Sequence, residues 1–348
     1  MVSLLICAII FEVVLRLFTP PAIFHPGLSF NPHNKMVLDV ELYGVGDTVY
    51  YSTNKWGMRG DPIPSEWDSK RSIVIIGGST TQCMYLSDDK TWPAQLQNCL
   101  LSADTSIIVQ NAGLDGHSTR GHLLLMEKVI PKIKPDMVIF LIGVNDLGHS
   151  LNEERFILGN PYEQTSIAYN LFTYSRLAQF IYTWQQILIN KAPVVEKTKY
   201  GQPNGYAGKP LLQKSPLPDS LESILPSLRE FEENIVELHK RAREESVEIL
   251  FLTQPMLFDS TSEWDSIEGR SYWLGKQELV ISAATYWRMM SIFNRHLVRV
   301  CDSLNVPCFD LASQIPHRQQ YFYDHVHFNE AGAAFVAEKV CQFITEGD

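Results

Sequence analysis

What this sequence has little of narrows its reading before any motif is considered. Basic residues are in deficit: 29 Lys and Arg stand against 39 Asp and Glu, a formal net charge of −10. A chain that binds nucleic acid needs a cationic surplus to neutralise phosphates, so that class of partner is set aside. Cysteine is scarce, six in 348 residues, and no two stand as a Cys-x-x-Cys pair. That excludes a disulfide-built scaffold and gives no zinc or dithiol signature. Cys301 and Cys308 are candidates to bridge in an exported chain, although a buried free thiol is the commoner state of a lone cysteine. No His-Glu-x-x-His stretch is present, nor a glycine loop ending in Gly-Lys-Ser/Thr. Internal repeats and low-complexity tracts are missing too. With 45% hydrophobic and 20% charged residues the chain is neither disordered nor fibrous. At roughly 150 residues per domain it holds one large domain or two ordinary ones.

Long apolar runs are equally rare, and the exception lies at residues 2–18, VSLLICAIIFEVVLRLF. Its length is the short limit for spanning a bilayer core of about 30 Å. Glu12 and Arg16 would meet on one helix face, softening the cost of charge near a membrane. No Lys or Arg precedes the run and no small-x-small cleavage site follows it, which disfavours a signal peptide. We expect residues 1–20 to anchor the chain in a membrane, with an interfacial helix or a core helix as alternatives. A Pro- and Asn-rich linker then leads to a domain over 21–348.

Residues 37–53 alternate like a hairpin. From residue 71 a rhythm sets in: a β-branched run at 73–76, a helical stretch near 92–101, a strand at 106–110, a helix near 118–130 and a strand at 137–142. It resumes with a helix at 221–245, a strand at 247–253, a helix at 282–304, a strand at 306–311 and a helix at 330–345, for which Asn329 is the expected N-cap. Strands alternating with helices predict an α/β fold on a parallel sheet covered on both faces, with every strand's C-terminal end on one edge. Two aromatic-rich excursions, 147–216 and 256–280, read as insertions, the second as a lid that stacks on sugar rings or packs acyl chains.

Four loops after strands each carry a different piece of acyl-transfer machinery. In an open α/β sheet such loops share one crevice. Gly77-Gly78-Ser79-Thr80 exposes a serine at a strand-to-helix turn, a candidate nucleophile, although Ser79 or Thr80 would equally serve as a helix N-cap. Residues 111–117, Asn-Ala-Gly-Leu-Asp-Gly-His, offer a backbone N–H from Gly116 or Gly113 to an oxyanion. Asn145, in Gly-Val-Asn-Asp146, offers a side-chain amide to the same atom, or else caps an Asx turn. Residues 324–327, Asp-His-Val-His, supply a base, His327, and a carboxylate, Asp324, to orient it. Asp146 and His149 repeat the same Asp-x-x-His spacing. His325 reads as solvated or structural, and Asp324, His325 and His327 could also ligate a metal together with Asp146 or His149.

The ordered set GGST at 77–80, Asn-x-Gly-x-x-Gly at 111–116, Gly-x-Asn-Asp at 143–146 and Asp-x-x-His at 324–327 resembles the SGNH, or GDSL, hydrolase superfamily. It is similar in particular to membrane-associated bacterial members, which carry an Asn-x-x-Gly-x-Arg element like residues 54–59. The resemblance implies a three-layer α/β/α, flavodoxin-like fold and a serine esterase that removes or transfers O-acyl groups, acetyl above all, from a carbohydrate or similar ester. Ser79 would be the nucleophile, His327 the base and Asp324 its orienting partner, with an oxyanion hole from the N–H groups of Ser79 and Gly116 and the Asn145 amide. It requires no cofactor or metal, and it implies an extracytoplasmic catalytic domain. The family's usual GDS reads Gly77-Gly78-Ser79 here, so its Asp is absent. A non-catalytic, membrane-tethered binding or assembly protein on the same fold, and a lipid esterase, are the competing readings.

Overall fold

The computed structural model describes residues 2–18, 32–103, 106–150, 227–261 and 283–346, with pieces at 175–178, 180–181, 184, 194–201, 225, 271–274 and 277–280. The chain begins with helix α1 (Val2–Phe18) and the antiparallel pair β1 (Lys35–Glu41) and β2 (Thr48–Ser52). The alternating part runs β3 (Arg71–Gly77), α2 (Ser79–Gln82), α3 (Trp92–Ala103), β4 (Ile107–Gly113), α4 (Thr119–Lys128), α5 (Ile130–Ile133), β5 (Met137–Leu141) and α6 (Val144–Ser150). After β6 (Val194–Gly201), which pairs with β1, come α7 (Ser227–Glu244), β7 (Glu248–Leu252), the hairpin β8 (Ser271–Leu274) and β9 (Gln277–Val280), α8 (Ala283–Leu304), β10 (Cys308–Phe309), α9 (Leu311–Gln314) and α10 (Glu330–Glu346).

Five parallel strands form the central sheet in the order β10-β7-β5-β3-β4. This is the flavodoxin-like order that the family resemblance implies, with β3 and β5 flanking the point where the chain reverses direction across the sheet. The runs read as continuously apolar because both sheet faces are covered. Successive side chains still part to opposite faces: Val74, Ile76, Phe140 and Phe251 pack with α4, α7 and α8, whereas Ile73, Ile75, Leu141 and Leu252 pack with α3 and α10.

Three expectations need correction. The strand expected at 106–110 continues through Gly113, and the one expected at 306–311 shrinks to two residues at the sheet edge. An apolar run does not mark where ladder bonding stops. The bridge considered between Cys301 and Cys308 does not form: both are free, and Cys99 on α3 is joined to Cys341 on α10, Cα atoms 6.3 Å apart. Two helices packed on the same sheet face bring together cysteines 242 residues apart in sequence, which spacing cannot reveal. Helix α1 forms with its Glu12–Arg16 ion pair at 2.7 Å, but among the described residues no helix is long and apolar enough to cross a membrane. Instead Glu12 accepts the backbone N–H groups of Arg176 and Leu177 at 2.9 and 2.8 Å, and Phe11 meets Phe180 edge to face. Of the two insertions, the first starts inside α6 and contributes β6. The second contributes the β8–β9 hairpin, and Trp264 lies outside the described residues.

Candidate active site

Every residue singled out in the four loops lies at the C-terminal edge of the sheet. β3 ends at Gly77, and the chain turns there into α2. The turn is tight because it has no side chains: a Cβ on Gly77 would stand 2.1 Å from Thr81 Oγ1, and one on Gly78 would stand 2.3 Å from Asn145 Nδ2. Gly78 is the N-cap of α2, with no side-chain capping bond, so Ser79 does not cap the helix. Its Oγ lies 2.8 Å from His327 Nε2 instead.

The base loop is held by its own carboxylate. Asp324 Oδ2 is 2.6 Å from His327 Nδ1, and its Oδ1 accepts the N–H groups of Val326 and His327 at 2.9 and 2.8 Å. Burial opposes ionisation of Asp324, but its pairing with His327 and these hydrogen bonds outweigh it and hold the carboxyl well below its ordinary range. The His327 ring lies flat against Tyr323, centroids 5.5 Å apart, whose phenol burial and the Asp324 charge keep neutral. An ionised carboxylate on Nδ1 fixes the tautomer that leaves Nε2 free to accept a proton from Ser79. His325 is buried, stacked on Phe258 and set edge-on to Tyr286, so it is structural and not solvated.

On the opposite wall, Asn145 lies in the first turn of α6 and donates through Nδ2 to the His117 carbonyl at 2.9 Å. An amide carries two N–H donors, so one remains. Of the two rival glycines, Gly113 has spent its N–H on Asn111 Oδ1 at 2.9 Å and is pressed against the backbone of α2. Gly116 stands in the left-handed region, φ 72°, with open space where a Cβ would be. Asp146 does not join Asp324: it is buried, accepting the Thr119 N–H at 3.1 Å and the Thr119 hydroxyl at 2.5 Å. Burial pushes its pKa up to about 7. Among the described residues no three His, Cys, Asp or Glu side chains gather as a metal site.

Several supporting residues escaped the sequence reading of roles. Arg59, quoted only within the 54–59 element, is buried and donates to the carbonyls of Gln82 and Cys83, at 2.9 and 2.5 Å, and of Leu86. Its Nε reaches Asp88 at 2.9 Å, and its guanidinium lies over the Tyr51 ring. It thereby ties the N-terminal hairpin to the chain leaving the serine turn. Asn54 forms the turn that presents it, accepting the N–H groups of Trp56 and Met58. Thr80 Oγ1 donates to the buried Gln254 at 3.1 Å, and Asn111 Nδ2 to Thr81 O at 2.9 Å. The Cys83 thiol beside this turn is pushed up to about 11 by burial, so it does not compete as a nucleophile.

A curated arylesterase from Vibrio mimicus is 24% identical over 78 residues, 22% of this chain and 39% of that protein, so the match spans well under half of the relative. Among solved structures, an α/β hydrolase from the metagenome of Lake Arreo, Spain, is 15% identical, with 80% of this chain and 95% of that one covered and a TM-score of 0.45. An acetylxylan esterase from Geobacillus stearothermophilus, solved as a catalytic mutant, is 14% identical, with 79% and 94% covered and a TM-score of 0.45. The pattern of the GDSL-like lipase/acylhydrolase family matches residues 75–335, which contain Ser79, Asn145, Asp324 and His327, and the chain belongs to that family.

Proposed function

We propose that this protein is a serine esterase that cleaves an O-acyl group, acetyl in the first instance, from a carbohydrate or similar ester through a Ser79 acyl-enzyme. The observation that carries the reading is the continuous chain Asp324···His327···Ser79, at 2.6 and 2.8 Å. Ser79 Oγ attacks the ester carbonyl while His327 Nε2 takes its proton. The oxyanion is received by the N–H groups of Ser79 and Gly116 and by the second N–H of Asn145. His327 then protonates the departing alkoxide, and water, deprotonated by the same nitrogen, releases the acid and restores Ser79. No cofactor enters these steps. Labelling with a fluorophosphonate probe tests the proposal: the native protein should react and the Ser79→Ala protein should not. A folded native protein that fails to label would favour the non-catalytic binding reading.

Localisation forms part of the same proposal. The Cys99–Cys341 bridge suits an oxidising compartment outside the cytoplasm, and α1 exposes Ile6, Ile9, Ile10, Val13, Leu17 and Phe18, an apolar face suited to a membrane surface.

A further inference from the structure

The two helices that cover one sheet face, α7 and α8, treat their cations differently. On α7, Arg229 pairs with Glu233, and Lys240 and Arg241 pair with Glu237. On α8, Arg295 and Arg299 stand one turn apart, exposed, with no ion-pair partner among the described residues, in a chain of net charge −10. Leaving two arginines unneutralised, side by side, in so acidic a protein builds a local field for an anion.

They line a cavity of about 470 Å³ beside the edge strand β10, with Trp287, Ser291 and His317 also in its wall. The size suits a few sugar rings. Trp287 offers an aromatic face for such a ring, and Ser291 a hydroxyl. His317 engages the Met256 carbonyl through Nδ1 at 2.9 Å, which leaves Nε2 to accept from a sugar hydroxyl. One carboxylate, Asp310, is in the lining, and its Oδ1 already accepts the Thr253 hydroxyl at 2.8 Å. The cavity borders the candidate active site at two points. Gln254, in its wall, holds Thr80 next to the nucleophile, and Leu257, following wall residue Met256, donates its N–H to His325 O in the base loop at 2.9 Å.

We infer that this cavity is a subsite for an acidic saccharide, its two arginines gripping the carboxylate of a uronate-type residue while a neighbouring acylated residue lies at Ser79. Guanidinium pairs recognise carboxylates by charge-assisted, two-pronged hydrogen bonds. The inference rests on the esterase reading for its purpose but is measured apart from it. Calorimetric titration of Ser79→Ala protein with trigalacturonate should show binding that weakens about tenfold or more in Arg295→Ala/Arg299→Ala and as salt rises. A neutral maltotriose should bind far more weakly. With acetylated oligogalacturonate, the double variant on the native background should raise KM about tenfold with kcat held, and leave p-nitrophenyl acetate turnover unchanged. Equal binding of the neutral trisaccharide, unaltered affinity in the double variant, or tighter binding of a sugar phosphate than of the uronate overturns the subsite. Loss of all esterase activity in native protein would overturn the esterase reading alone, because the titration does not depend on turnover.

Discussion

Two segments of this chain carry the same Asp-x-x-His spacing, and the fold gives them opposite lives. At 324–327 the carboxylate turns back on its own loop, bonds two backbone N–H groups and the imidazole, and aims Nε2 at Ser79. At 146–149 the pattern falls on a helix that opens just before it, and Asp146 is buried against Thr119, bracing the Gly116 loop toward α6. Charge follows geometry: the first carboxyl is held ionised by its imidazole partner and its N–H donors, while burial drives the second toward its neutral form. A spacing motif specifies which groups can meet. Whether they meet depends on whether the segment is a loop or a helix.

The sharpest way to break the comparison is to neutralise each carboxylate in turn. Asp324→Asn should lower kcat on p-nitrophenyl acetate by about 10,000-fold, since the imidazole loses its tautomer lock. Asp146→Asn should leave kcat within about tenfold. If both variants lose activity equally, the assignment of the two segments fails. Next in size is Asn145→Ala, which removes a donor from the oxyanion wall and should cost about a hundred- to a thousandfold in kcat with KM little changed. Full turnover in that variant would leave Asn145 a purely structural partner of the His117 carbonyl.

A smaller effect separates the carboxylates by pH. With a folded-state pKa near 7 against an ordinary value of 3.8, Asp146 binds more protons in the folded state between about pH 4 and 7. Its contribution to stability is therefore complete below that window and is lost as pH rises through it. Thermal melts should show Asp146→Asn gaining on the native protein from pH 5 to 8. Asp324, held low, contributes in the opposite sense: its stabilisation is present above about pH 4 and is lost as pH falls, so Asp324→Asn should lose ground to the native protein as pH rises from 2 to 5. The smallest change is expected of His149→Ala, whose kcat should stay within about twofold of native; a collapse in rate there would move the base to the wrong segment.

Much of this was legible in the residues. The β-branched run at 73–76 is too short for a helix, and its alternation with helical stretches and with the strands read at 137–142 and 247–253 implied a parallel sheet and one functional edge. Ser79, Asn145, Asp324 and His327 stood out because each follows a strand. Asn329 caps α10 as its position suggested, accepting the Gly332 N–H at 2.9 Å. What stayed hidden depends on contacts between distant segments. The arginine at 59 grips carbonyls some 25 residues away, and backbone acceptors leave no trace in side-chain identity. The proposed oxyanion hole takes Gly116 and not Gly113 because the Gly113 N–H is already spent on Asn111.

Gly78 shows the division most plainly. As a sequence feature it is a departure from the family's usual Asp; in the structure it is the space that the Asn145 amide occupies, 2.3 Å from where a Cβ would lie. By itself the sequence determined the fold class, the functional edge and the chemical kinds of group gathered there, because hydrophobic period and turn chemistry are local. Only the tertiary structure decided which aspartate serves which partner, which cysteines bridge and which N–H groups remain unspent. Those outcomes depend on burial and on hydrogen bonds that close across up to 250 residues of chain.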